Sequence, residues 1–134
     1  MDDKIVRFAV KRQDDPESDP YWEEFDLRWR PAMNVIIGLM DIAMDPVDRG
    51  GKQTTPITYD ANCLDEVCGS CAMRMNGRAA MACTSVIDGL EQPIRLEPLA
   101  RFPVIRDLAV DRSVIFENKK QIKAWVPIDG AYDI

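Results

Sequence analysis

Four thiols fall within one short stretch of this chain. Cys63, Cys68, Cys71 and Cys83 are its only cysteines, with four, two and eleven residues between successive sulfurs, and there is no histidine. Thiols in that number bind a soft metal, close two disulfides or exchange electrons as a dithiol. Structural zinc usually recruits its ligands as two short-spaced pairs on separate turns, whereas three of these cysteines share one loop and the fourth stands alone. Four, then two intervening residues, followed by a distant fourth cysteine, is the plant-type [2Fe–2S] spacing. We take that as the leading reading, with a four-cysteine zinc-binding interaction domain as an alternative. The missing histidine removes Ser-His-Asp and Cys-His catalysis, His-rich zinc hydrolase motifs and Rieske-type clusters.

The residues around the thiols suit a wrapped cluster. Gly69 and Ser70 lack bulk between two cysteines, which lets backbone amides point at sulfur and stabilise its negative charge. Asn76-Gly77 is a strong hairpin signal because both turn positions need positive φ, and the hairpin folds Cys83 back toward Cys71. Leu64, Val67, Ala72 and Met81 are expected to limit water access, although the same residues are equally compatible with simply continuing the core.

Several elements must position this loop. Val6, Phe8 and Val10 alternate with Arg7 and Lys11, the pattern of a half-buried strand. Gln13 to Pro20 is acidic and Pro-containing, an exposed connection to a second strand through Tyr21, Phe25, Leu27 and Trp29, and the two strands should form a hairpin. Pro31 and Asn34 start a helix carrying Met33, Ile36, Ile37, Met40 and Met44, which Pro46 ends. Because Val35, Leu39 and Ile42 make its other side apolar, the helix is expected to be buried, with its methionines as core filler. Ile57-Thr-Tyr59 reads as a short extended piece leading into the cysteines, and Val86-Ile87 and Ile94-Arg-Leu96 read as further short strands. A last helix starts near Asp111 or Ser113, with Lys119, Lys120 and Lys123 at its negative end, and stops at Trp125, Pro127 and Gly130.

Composition narrows the partners. At 134 residues the chain buries roughly 70% of its unfolded surface as one compact domain and needs no covalent staples. A net charge of −6 and a pI near 4.6 oppose nucleic-acid binding, which needs a basic surface. No apolar run approaches the roughly 20 residues of a membrane span, and the start lacks a secretory signal. We therefore expect a cytoplasmic origin, where clustered thiols serve metal or redox chemistry.

Cys63-Leu-Asp-Glu-Val-Cys-Gly-Ser-Cys71 through Asn76-Gly77 and Met81-Ala-Cys83, then Pro93 to Leu99 and Phe102 to Asp111, resembles the iron–sulfur subunit of succinate dehydrogenase and fumarate reductase. The segment Ala124 to Asp133 resembles the Gram-positive branch. The resemblance implies an α+β fold, a β-grasp [2Fe–2S] ferredoxin-like domain over residues 1–110, with a C-terminal helix and tail over 111–134. It implies that Cys63 and Cys68 hold one iron while Cys71 and Cys83 hold the other. It also implies an electron path between the FAD of a flavoprotein subunit and quinone, with no substrate turnover by this chain alone. The location implied is peripheral, on the inner face of the cell membrane beside a membrane anchor subunit, without direct membrane insertion. Many members of that family carry Arg-Glu-Gly after the first cysteine where Leu64-Asp65-Glu66 stands here. The sequence stops at Ile134, before the cysteine groups of the family's other two clusters, so we expect either part of a longer subunit or a relative that kept one cluster. The small iron–sulfur subunit of molybdenum hydroxylases uses similar loop spacing, but it continues into a helical domain with four more cysteines.

Overall fold

The structure, a computed structural model, describes residues 4–125. Strands β1 (Ile5–Arg12) and β2 (Tyr21–Arg28) pair antiparallel in the expected hairpin, with Phe8 opposite Phe25. After helix α1 (Val35–Met44) and a long loop come β3 (Ala72–Met75), β4 (Arg78–Met81) and β5 (Ile94–Glu97). These complete a five-stranded sheet of order β2-β1-β5-β3-β4, in which β5 runs parallel to β1 and antiparallel to β3. A separate small ladder joins β6 (Val104–Arg106) to β7 (Ala109–Val110), and α2 (Ser113–Gln121) follows. The result is a mixed sheet with two helices, the α+β class expected.

Alternation on β1 buries Val6, Phe8 and Val10 completely, and they meet Phe25, Met73, Ile94 and Leu96 in one cluster. Helix α1 supplies Val35, Ile36, Leu39 and Ile42 to the same core. The Asn34 carboxamide caps it, accepting the Ile37 N–H at 2.9 Å. Such a cap contributes about 1 kcal/mol. Gly38 lies against the Phe8 ring, where a Cβ would collide with it, so helix and sheet approach closely at that point.

Some expectations are corrected. Met33 is buried, but Met40 and Met44 are exposed, because the inward stripe of α1 is Val35, Leu39 and Ile42, spaced by four and three residues. The methionines on its outer face are therefore not core filler. Val86 makes only an isolated bridge to Asn34, and Ile87–Gly89 forms a 3-10 turn instead of a strand. Ile57–Tyr59 joins no sheet; the Thr58 N–H donates to the Asp107 carboxylate instead. The start of α2 places Arg112 at the cap position, while Asp111 accepts the Ser113 N–H at 2.9 Å. Helix α2 ends at Gln121, earlier than Trp125; Pro127 and Gly130 lie outside the described residues.

Arg12 and Asp107 are both fully inaccessible and paired at 2.9 Å. The guanidinium also donates to Glu23, the Thr54 and Thr55 hydroxyls and the Thr55 and Pro56 carbonyls. Asp107 in turn accepts the backbone N–H groups of Gln13 and Thr58. Breaking such a buried pair from one side leaves an uncompensated charge. Arg12→Met should therefore destabilise the chain by about 3–5 kcal/mol in urea unfolding. Adding Asp107→Asn should recover part of that loss, and an equal loss in the single and double variants would contradict this account.

Candidate metal centre

The cysteine loop is built from backbone aimed at sulfur. The N–H groups of Asp65, Val67 and Cys68 each lie 3.3 Å from Cys63 Sγ. Cys63 N and Ser70 N approach Cys68 Sγ at 3.5 and 3.4 Å. This convergence requires Leu64 and Glu66 at φ 58° and Gly69 at φ 73°, alternating the chain through the left-handed region so that successive amides line a concave, anion-favouring surface. For Gly69 the conformation is free, whereas for Leu64 and Glu66 it costs about 1–2 kcal/mol each.

Cys83 arrives by a different route. Asn76 and Gly77 take φ 50° and 83°, and β3 and β4 pair from Ala72 opposite Met81 to Met75 opposite Arg78. The Ala82 N–H then donates to the Cys71 carbonyl, and the Cys83 N–H lies 3.4 Å from Cys71 Sγ. From the other side the Asn34 Nδ2 donates to the Cys83 carbonyl at 3.1 Å, so the residue that caps α1 also anchors this thiol. Cys71 and Cys83 are buried, while Cys63 and Cys68 are exposed, and none of the four forms a disulfide. The expected shielding by Leu64 and Val67 is corrected: they are 57% and 80% exposed, because the strained loop turns its amides inward and these side chains out.

Electrostatics separates the thiols. The Ser70 hydroxyl, 3.0 Å from Cys68 Sγ, leads a set of hydrogen bonds that lowers the Cys68 pKa to about 6. Burial pushes the Cys83 thiol up, opposed by the Glu66 N–H. Among the described residues, no group of three or more His, Cys, Asp or Glu is arranged to hold a single metal ion. The backbone contacts instead associate the thiols as two neighbouring couples, Cys63 with Cys68 and Cys71 with Cys83. Of the amides expected at Gly69 and Ser70, the Ser70 N–H is directed at sulfur, while the Ser70 hydroxyl, a short polar group between two thiols, was the signal left unread. Sequence reasoning also missed Arg112, which donates to the Gly69 and Ser70 carbonyls at 2.8 Å each from 43 and 42 residues further along the chain, too far for any local pattern to mark it.

Because the thiolate is the nucleophile, alkylation of the metal-free chain should pass its midpoint near pH 6 for Cys68 and level off above it. For Cys83 it should still be rising through pH 8; peptide-resolved labelling with identical profiles at both would contradict this. Glu66→Gly should relieve left-handed strain and stabilise the chain by about 0.5 kcal/mol in chemical unfolding, and a loss of stability would count against the strain argument.

The chain matches the 2Fe-2S iron-sulfur cluster binding domain family over residues 7–117. It is 55% identical over 131 residues to the succinate dehydrogenase iron-sulfur subunit of Bacillus subtilis, covering 98% of this chain and 52% of that protein. The fumarate reductase iron-sulfur subunit of Mycobacterium tuberculosis is 32% identical over 127 residues, covering 94% of this chain and 49% of that protein. In fold it is similar to a chain of the Mycobacterium smegmatis Sdh1 complex in the apo form, at a TM-score of 0.75 and 23% identity, covering 98% of this chain and 52% of that one. The chain thus spans about half the length of the curated relatives it matches. The match from Arg7 through Glu117 takes in the hairpin, the cysteine loop and its anchors, and the chain belongs to the 2Fe-2S iron-sulfur cluster binding domain family.

Proposed function

We propose that Cys63, Cys68, Cys71 and Cys83 hold the [2Fe–2S] cluster and that the chain acts as an electron-transfer component of a succinate dehydrogenase or fumarate reductase. The observation that carries the assignment of ligands is the set of backbone N–H groups directed at the Cys63, Cys68 and Cys71 sulfurs. Donors of this kind stabilise thiolate and tune a cluster's potential. The donor set fits the group: a binuclear cluster takes two thiolates on each iron, and four thiols associated as two couples can supply them. When bound, the cluster supplies one-electron transfer. This chain's residues hold it, donate hydrogen bonds to its sulfur ligands and keep Cys71 and Cys83 from water, while the exposed Cys63 and Cys68 end faces outward.

In this reading electrons pass between the FAD of a flavoprotein partner and quinone at a membrane anchor, with the complex peripheral on the inner face of the cell membrane. The relatives' names support that assembly. No helix among the described residues is long and apolar enough to cross a membrane. We take the cluster domain to end near residue 110, ahead of α2 (Ser113–Gln121). The test is to load the chain anaerobically with iron and sulfide and mix it with a succinate dehydrogenase flavoprotein. Succinate should bleach the visible absorbance of the chain, and Cys71→Ala or Cys83→Ala should lose that chromophore. A loaded chain that neither binds the flavoprotein nor is reduced would refute the assembly, and a normal spectrum in both variants would reject those ligands.

A further inference from the structure

Arg112 lies far from the cysteine loop in sequence and against it in space. Its Nη1 donates to the Gly69 carbonyl and its Nη2 to the Ser70 carbonyl, both at 2.8 Å, with the Ala72 carbonyl at 3.5 Å from Nη2. The Gly69 and Ser70 carbonyls belong to the turn that carries the chain from Cys68 to Cys71, and Ala72 opens β3 just beyond it. The Gly69 carbonyl and the Ser70 N–H belong to one peptide plane, and in a trans peptide they point in opposite directions. Arg112 takes the carbonyl side, and the N–H side is directed at Cys68 Sγ at 3.4 Å. A charged donor on the carbonyl both fixes the plane and polarises its N–H. The Nε of Arg112 is buried without a protein acceptor, so the guanidinium is committed to this position by its Nη groups and leaves a cationic N–H beside the thiol loop.

We propose that Arg112 is a positioning residue for the cluster: it locks the Gly69–Ser70 peptide with its N–H on Cys68, and its fixed charge favours the reduced state. The inference rests on the cluster reading above. Reduction adds one electron to a site already made negative by its thiolates, with no bond broken and no proton required. A nearby permanent cation lowers the energy of the more negative state. A residue that merely stapled α2 to the loop would protect the backbone without moving the potential.

The test compares the full chain with Arg112→Lys, which keeps the charge but not the fork, and Arg112→Met, which keeps neither. In the metal-free proteins, hydrogen exchange over residues 69–72 should quicken by about tenfold or more in Arg112→Met, the loss expected for hydrogen bonds from a charged donor. In the iron- and sulfide-loaded proteins, the midpoint potential should fall in Arg112→Met, with Arg112→Lys between it and the unaltered chain. Circular dichroism of the lysine variant guards against global unfolding as the cause. Unchanged exchange, or altered exchange with an unchanged midpoint, would overturn the proposal. An unaltered chain that takes up no cluster would overturn the cofactor reading instead, and the exchange comparison would still decide the clamp.

Discussion

The buried pair of Arg12 and Asp107 is the interaction on which the arrangement of this molecule turns. Neither side chain reaches water, so each must be satisfied within the fold, and apart from Glu23 on the neighbouring strand the partners they use come from segments outside the main sheet. Arg12 ends β1 and reaches the 54–56 segment, while Asp107 stands in the β6–β7 turn and receives the Thr58 N–H. The approach to the cysteine loop and the turn leading to Arg112 are thereby fixed to the same strand. Asp107 takes φ 47°, a left-handed conformation that aspartate tolerates better than most residues. The low dielectric that strengthens a complete network makes an incomplete one costly.

With its two flanks fixed, the loop can hold a conformation it would not adopt alone. Leu64 and Glu66 in the left-handed region are locally unfavourable, and the return is an array of amides facing sulfur. The hairpin supplies Cys83 from a rigid ladder, the α1 cap holds that residue's carbonyl, and Arg112 holds the opposite edge of the Cys68–Cys71 turn. Positioning is thus done mostly through the backbone of the thiol segment. This explains why side chains such as Val67 stay exposed in a site whose chemistry lies a few ångströms away.

Much of this was legible in the residues. The Asn76-Gly77 turn, the alternation on β1 and the Asn34 cap are all local signals, and each has its expected counterpart in the structure. What was not legible depends on long-range contact. Nothing in Ile94–Glu97 says that it lies between β1 and β3, and nothing near Arg112 says that its fork reaches residues more than forty positions earlier. The exposed methionines of α1 show the limit of periodicity in a helix that is apolar on two sides: the pattern admits either face, and packing against Phe8 and Leu27 selects one. In the loop, an unfavourable Leu64-Asp65-Glu66 adopts the required conformation because its surroundings over-determine it.

The central claim is that four thiols, gathered by one strained loop and one hairpin, hold a single binuclear cluster capable of one-electron transfer. Electron paramagnetic resonance of the purified chain, before and after dithionite, tests it most directly. The oxidised sample should be silent and the reduced sample should carry about one S = 1/2 centre, with about two irons and two labile sulfides per chain. A colourless protein containing zinc, with no labile sulfide and no signal on reduction, would contradict it.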